Sequence, residues 1–228
     1  MTIRKPNLDS SLKRRIYDTM LDGIIRGEYQ PDTPFTEKEL VDKFQVSKSP
    51  IREALIELCN EGALRSIPRF GYEVIRITDR DVEEIKKFRL LIECGSMDRD
   101  WGMISTAHIQ SLQNLLEQDY GVPGNFDVHE HWKRNTKFHL QLISCYNNEY
   151  LYNSLADALR FLARAYGQFF WDKWRQTVYV GFAEGHKELL EVIRSRDKKN
   201  ALKLLEKDIC GFAESRKPDL QSGAHLPL

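Results

Sequence analysis

The chain has 228 residues, with 34 Lys+Arg against 34 Asp+Glu, 41% hydrophobic and 30% charged, the profile of a globular protein of one or two domains. Zero net charge excludes coating of nucleic acid by bulk charge. A mean hydropathy of −0.51, with no stretch near the ~20 consecutive apolar residues of a membrane helix, argues against a membrane span.

The start, MTIRKPNLDSSLKRR, is basic but has no apolar run behind it, unlike a secretory signal. A first helix is predicted over about Leu12–Arg26, where Leu12, Ile16, Met20 and Ile24 recur every fourth residue and Gly27 stands at the C-cap. Pro31, Asp32 and Pro34 make a turn. Thr36 with Glu39 three residues on is a capping box, opening a short helix over Glu37–Phe44. Ser47 caps a third helix, with Pro50 in its first turn and Ile51, Ala54, Leu55 and Leu58 inward, running to about Asn60. Residues 63–67 and 72–77 flank Pro68-Arg69-Phe70-Gly71 as a β-hairpin whose tip Gly71 relaxes.

From Thr78 the period is helical almost throughout. Six helices are expected, at roughly 79–100, 106–119, 126–146, 149–170, 177–195 and 198–215, with Asn125, Thr177 and Asp197 as caps. Gly121-Val122-Pro123-Gly124 breaks the second from the third. The tail from Lys217 lacks periodicity. The expected fold class is mainly α: a winged helix-turn-helix over 1–77 (three helices plus a β-hairpin) and an all-α antiparallel bundle over 78–228. The four cysteines, Cys59, Cys94, Cys145 and Cys210, lie far apart without a CxxC pair, as suits a reducing, cytoplasmic interior.

In a helix-turn-helix the second helix enters the major groove with its N-terminal residues at the base edges. Here those residues are Ser47, Lys48, Ser49 and Pro50, with Arg52 one turn in. Hydroxyls and backbone N–H groups there bind phosphate, and an arginine can fork onto guanine O6 and N7. Arg69 at the hairpin turn reaches for a phosphate or the minor groove. Residues 1–77 carry only one more cation than anions, so DNA reading rests on these positions.

Val46-Ser47-Lys48-Ser49-Pro50-Ile51-Arg52-Glu53-Ala54-Leu55, followed by Leu58 through Gly62 and a Gly-tipped hairpin, resembles the GntR family of bacterial transcription regulators. The resemblance implies DNA contacts at Lys38, Ser47, Lys48, Ser49, Arg52, Phe70 and Gly71. Two departures stand out. Lys48 replaces the usual Arg and loses its bidentate fork; Asp32 replaces the usual Gly after Pro31.

In the helical half, Val128, Trp132, Leu142 and Tyr146 mark one apolar face, and Asn135 and His139 stand on it at i, i+4. His186 sits on the apolar face of Phe182, Leu189, Leu190 and Ile193, and Asp208 on that of Ala201, Leu205 and Phe212. An unpartnered buried carboxylate is costly. Three helices thus send an amide, two imidazoles and a carboxylate toward one core, a donor set suited to a divalent ion such as Zn or Ni; taken singly, each is as well read as a hydrogen-bonded core residue.

Asn135-Thr136-Lys137-Phe138-His139, Glu184-Gly185-His186 and Asp208 resemble the metal-binding pattern of the FadR-type C-terminal domain of GntR regulators. Asn135 stands for an Asp and Asp208 for a His, so the ligand charge is kept by exchange. The resemblance implies an organic-acid or sugar-acid effector. Arg89, on the inward stripe with Ile85 and Ile92, and Arg160 or Arg164 could pair a second anionic group. The aromatic run Tyr166–Trp174 reads as core, a lid or a dimer contact.

The expected protein is therefore no enzyme but a cytoplasmic homodimeric repressor that binds a pseudo-palindromic double-stranded operator and answers a small carboxylate. A metal-dependent hydrolase or lyase using His139, His186 and Asp208, a metal-ion sensor, and a metal-free sensor of a larger ligand such as an acyl thioester are the alternatives.

Overall fold

The computed structural model describes residues 8–120, 128–170 and 182–214. They fall into two compact units. The first is built from the chain up to Thr78 plus the segment beginning at Arg160; the second takes Asp79–Leu159 and the last two helices. Packing thus divides the chain differently from a cut at residue 77.

In the first unit α1 (Leu8–Ile25), α2 (Glu37–Phe44) and α3 (Lys48–Asn60) precede an antiparallel hairpin of β1 (Leu64–Ile67) and β2 (Gly71–Val74), with Leu64 opposite Val74. Ile16, Met20 and Ile24 of α1 meet Leu40 of α2 and Ile51, Ala54, Leu55 and Leu58 of α3 in one buried cluster. Each such Leu or Ile contributes about 1.5–3 kcal/mol over its exposed state. The capping box forms: the Thr36 hydroxyl accepts from Glu39 N–H (3.2 Å), and the Glu39 carboxylate accepts from Thr36 N–H (2.7 Å).

Phe35 and Tyr72 exchange backbone hydrogen bonds of 2.8 and 2.9 Å. This explains Gly71. Its φ is +109°, and a Cβ there would overlap the Phe35 carbonyl oxygen. The positive φ at the hairpin tip and the approach of Phe35 both demand glycine here. Asp32 has φ 62°, the left-handed region that glycine enters without cost and aspartate tolerates. Its carboxylate pairs with Arg76.

The second unit opens with α4 (Asp79–Arg89), a π-helical turn (Leu90–Cys94), α5 (Gly95–Arg99) and a 3-10 turn (Trp101–Met103). The sequence period predicts one helix here; the π turn interrupts it. Then come α6 (Thr106–Tyr120), α7 (Val128–Ser144), α8 (Glu149–Phe170), α9 (Phe182–Arg194) and α10 (Lys198–Glu214). Asp197 caps α10, its carboxylate accepting from Asn200 N–H at 3.1 Å. The expected caps Asn125 and Thr177, the break at 121–124 and the tail lie outside the described residues. Met97, Leu112, Leu116, Phe138, Leu142, Leu155, Leu189, Ile193 and Leu205 form the core.

The last three turns of α8 pack in the first unit. Arg164 donates to the carbonyls of Gly62 (2.7 Å) and Glu61 (3.4 Å), just past the C-terminus of α3. The Gln168 amide accepts from Ile77 N–H and donates to the Ile75 carbonyl, both at 2.9 Å. Gly167 lies so close to the Ile25 carbonyl that a Cβ would overlap it. Arg164, expected at the effector, is thus engaged within the first unit. Buried at 6% exposure, it satisfies carbonyls of the turn that follows α3. Arg160 is exposed in the same unit, and its charge acts on Tyr17. Tyr166 is buried, as core packing expects; the run from Trp171 lies outside the described residues.

Candidate functional site

Two chemistries are built on this frame. The first is the N-terminus of α3. Ser47 occupies the cap position with extended backbone, but its hydroxyl makes no capping hydrogen bond. Lys38, Ser47, Lys48, Ser49, Arg52, Arg69 and Phe70 are exposed and Gly71 half-buried. Phe70 at the hairpin tip is 68% exposed, a large apolar side chain left in water. Ile56, one turn beyond Arg52, is also exposed; the sequence reading passed over it, because an outward Ile breaks no helical period. Ser49 donates to Glu53 at 3.1 Å.

Behind this face stands Glu37, the first residue of α2. Its carboxylate accepts from Arg52 Nε (3.1 Å) and Nη2 (3.2 Å), from Lys48 Nζ (3.0 Å) and from the Tyr72 hydroxyl (3.2 Å). The Arg52 guanidinium leads in holding this carboxyl down to about 2, against the opposing effect of burial, with Lys48 and Tyr72 adding to it.

The second chemistry is buried in the second unit. His139 and His186 are 0% exposed and Asn135 5%. Asp208 approaches both rings, at 2.9 Å from His139 Nε2 and 3.4 Å from His186 Nε2. Ligand atoms of His139, His186 and Asp208 all lie within 4.8 Å of one another. Asn135 lies one helical turn before His139 on the same buried face of α7. Phe138 stacks on the His186 ring at 4.0 Å and fixes its plane.

Arg89 and Glu93 complete the cluster. Glu93, 3% exposed, accepts from Arg89 Nε at 2.6 Å and pairs with His139 Nδ1 at 2.7 Å. The inward placement of Arg89 follows the sequence reading; Glu93 does not, since an unbroken helical period gives no sign of the π turn that carries it. The i, i+4 spacing of Arg89 and Glu93 was its one available signal. Burial alone raises the Glu93 carboxyl, but the Arg89 charge and His139 bring it below the usual range. Burial likewise raises Asp208, and the two imidazoles hold it well below that range. For His139 burial favours the neutral ring, yet the Glu93 charge prevails and raises its pKa. His186 is lowered, by burial first.

The residues present fit a divalent ion. Asp208 sits within ion-pair reach of His139 Nε2 but out of line for a hydrogen bond to it. Two imidazole nitrogens and a carboxylate oxygen lie within 4.8 Å of one another, and Glu93 holds the other nitrogen of His139, as the outer partner of a metal-bound ring does.

The description "Bacterial regulatory proteins, gntR family" matches residues 12–74, and the FCD domain matches residues 84–209, more than half of the chain. The chain belongs to the GntR family. This GntR chain is 29% identical over 142 residues to the uncharacterized HTH-type transcriptional regulator YdhC of Bacillus subtilis, covering 62% of this chain and 63% of that one. It is 26% identical over 189 residues to the gluconate operon transcriptional repressor of Bacillus licheniformis, covering 81% and 76%. Against several curated relatives the match spans only about half to two thirds of their length. Among solved structures, E. coli McbR/YncC superposes with a TM-score of 0.73 at 18% identity, over 90% of this chain and 96% of that one, which shows the fold. The family and these relatives are transcription regulators, not enzymes.

Proposed function

We propose that this GntR chain is a cytoplasmic, homodimeric transcriptional repressor that binds a pseudo-palindromic double-stranded operator and is controlled by a small carboxylate effector. The observation that carries the DNA half is the α3 N-terminus. It presents Ser47, Lys48, Ser49 and Arg52 outward, with Lys38 on α2 and Arg69, Phe70 and Gly71 on the hairpin. Arg52 reads a base edge; Lys48 and the hydroxyls hold phosphates. A winged pair of this kind reads two half-sites through the two-fold axis of a dimer. Residues 1–77 carry the DNA head and 78–228 the effector and dimer surfaces, the last turns of α8 being lent to the head.

The observation that carries the effector half is the Arg89–Glu93–His139–Asp208–His186 cluster. His139, His186 and Asp208, with Asn135, would hold a divalent ion such as Zn or Ni, which when bound offers an acid effector a positive point for its carboxylate. Arg89 remains as a second cation: its Nη2 is buried without a hydrogen-bond partner among the described residues, and a buried guanidinium donor left so is costly. The gluconate operon named for one relative fits a sugar acid. Effector binding shifts the population of head arrangements only by binding them unequally.

The test is a shift titration against DNA flanking the gene. A specific site released by millimolar gluconate or another hydroxy acid is expected; no specific site at any salt sinks the DNA reading. A metal-free polar pocket is the second reading, favoured by one fact: Glu93 and Asp208 together flank both nitrogens of His139. Elemental analysis of purified protein separates the two, with near one ion per chain expected for the first.

A further inference from the structure

We infer that Glu37 is a positioning residue for DNA reading: its carboxylate sets the plane of the Arg52 guanidinium and aims its free edge at a base. The inference rests on the reading of Arg52 as the base-contacting residue. Glu37 gathers donors from two elements, Arg52 and Lys48 of α3 and Tyr72 of β2, and so fills the roughly four acceptor sites of a carboxylate. Its side chain is 16% exposed while those of Arg52 and Lys48 are 55% and 63% exposed. The anchor is sheltered and the cations face outward, unlike a solvated surface pair.

Atom accounting gives the consequence. Arg52 uses Nε–H and one Nη2 hydrogen on Glu37. Of five guanidinium hydrogens this leaves the end-on edge, Nη1 with Nη2, which is the fork that spans guanine O6 and N7. A guanidinium held in plane beforehand loses less freedom on binding. Lys48 shares the carboxylate through a single contact. It can leave for a phosphate while Arg52 stays held. One carboxylate thus sorts the two cations of the reading helix, the forked one for a base and the point charge for the backbone.

The full-length protein tests this with a duplex that the wild type selects from a random-sequence pool, the same duplex with each G·C pair changed to A·T in turn, and a scrambled duplex. Arg52→Ala is expected to erase discrimination at one G·C pair. Glu37→Gln is expected to lose about tenfold of discrimination at that same pair while binding the scrambled duplex as well or better. Its log affinity against log salt should keep the wild-type slope, since Lys48 holds a phosphate in both. Glu37→Asp keeps the charge but not the reach, and is expected to lose discrimination at the same pair, so it decides if Glu37→Gln fails to fold. Equal loss on all duplexes, or unchanged discrimination in both Glu37 variants, overturns the positioning role. If Arg52→Ala itself leaves every duplex unchanged, the reading of α3 falls and this inference with it.

Discussion

At the scale of single residues, the side chains that matter are those whose charge the fold has already answered. Glu93 answers Arg89 in the core, both under 5% exposed. Removing one partner of such a pair leaves an uncompensated buried charge, a loss of about 3–5 kcal/mol. Glu93→Ala is therefore expected to lower the urea midpoint sharply, whereas a replacement of both Arg89 and Glu93 by apolar residues should recover much of the loss. Glu37 gives a pH signature. Its folded carboxyl is lowered to about 2 from 4.5, led by Arg52, so its stabilisation is complete above pH 4.5 and is lost as pH falls through about 2. Because the two cations are more than half exposed, screening limits this to about 1 kcal/mol. Thermal melts of wild type and Glu37→Gln should converge between pH 4.5 and 2. Asn135, His139, His186 and Asp208 were legible in the sequence because a polar side chain on an apolar helical face breaks the period visibly. Glu93 and Glu37 were not, because nothing in a one-dimensional pattern distinguishes a solvated carboxylate from one that the fold surrounds with donors.

At the scale of elements, α8 is the informative case. Its period predicts a helix over 149–170, and the structure has it at Glu149–Phe170. The period says nothing of where its C-terminal turns pack. Arg164, Gly167 and Gln168 hold α1, the turn after α3 and the segment after the hairpin by three contacts of different kinds. Gly167→Val drives a side chain into the Ile25 carbonyl, and an overpacked contact of this sort costs about 1–3 kcal/mol. It is expected to lower DNA affinity and the melting temperature together, while metal content of the purified protein stays unchanged. The π turn at Leu90–Cys94 is the other element that pattern alone misses. A π turn inserts one residue into an α-helix, and Arg89 just before it and Glu93 within it end up buried together.

At the scale of the whole molecule, the balanced charge has a measurable consequence. With no net field, affinity for DNA rests on a few local phosphate contacts. Lys48→Ala is expected to weaken all duplexes about equally and to reduce the salt slope by about one unit, read from shift titrations at several salt concentrations. The sequence by itself determined the family, the order of winged helix-turn-helix and helical bundle, the boundaries of α2 and α3, and the imidazole and carboxylate positions on α7, α9 and α10. Those follow from local rules: capping, helical period, turn chemistry and a motif of consecutive residues. Only the tertiary structure decided that Arg164 bonds the turn after α3, that Gly71 meets the Phe35 backbone, and that Glu93 joins the buried cluster. It also decided that Glu37 gathers the reading cations. Each of these is a contact between residues distant in the chain, and such contacts are set by what the packed surfaces bring within about 3 Å, a distance that no sequence spacing encodes.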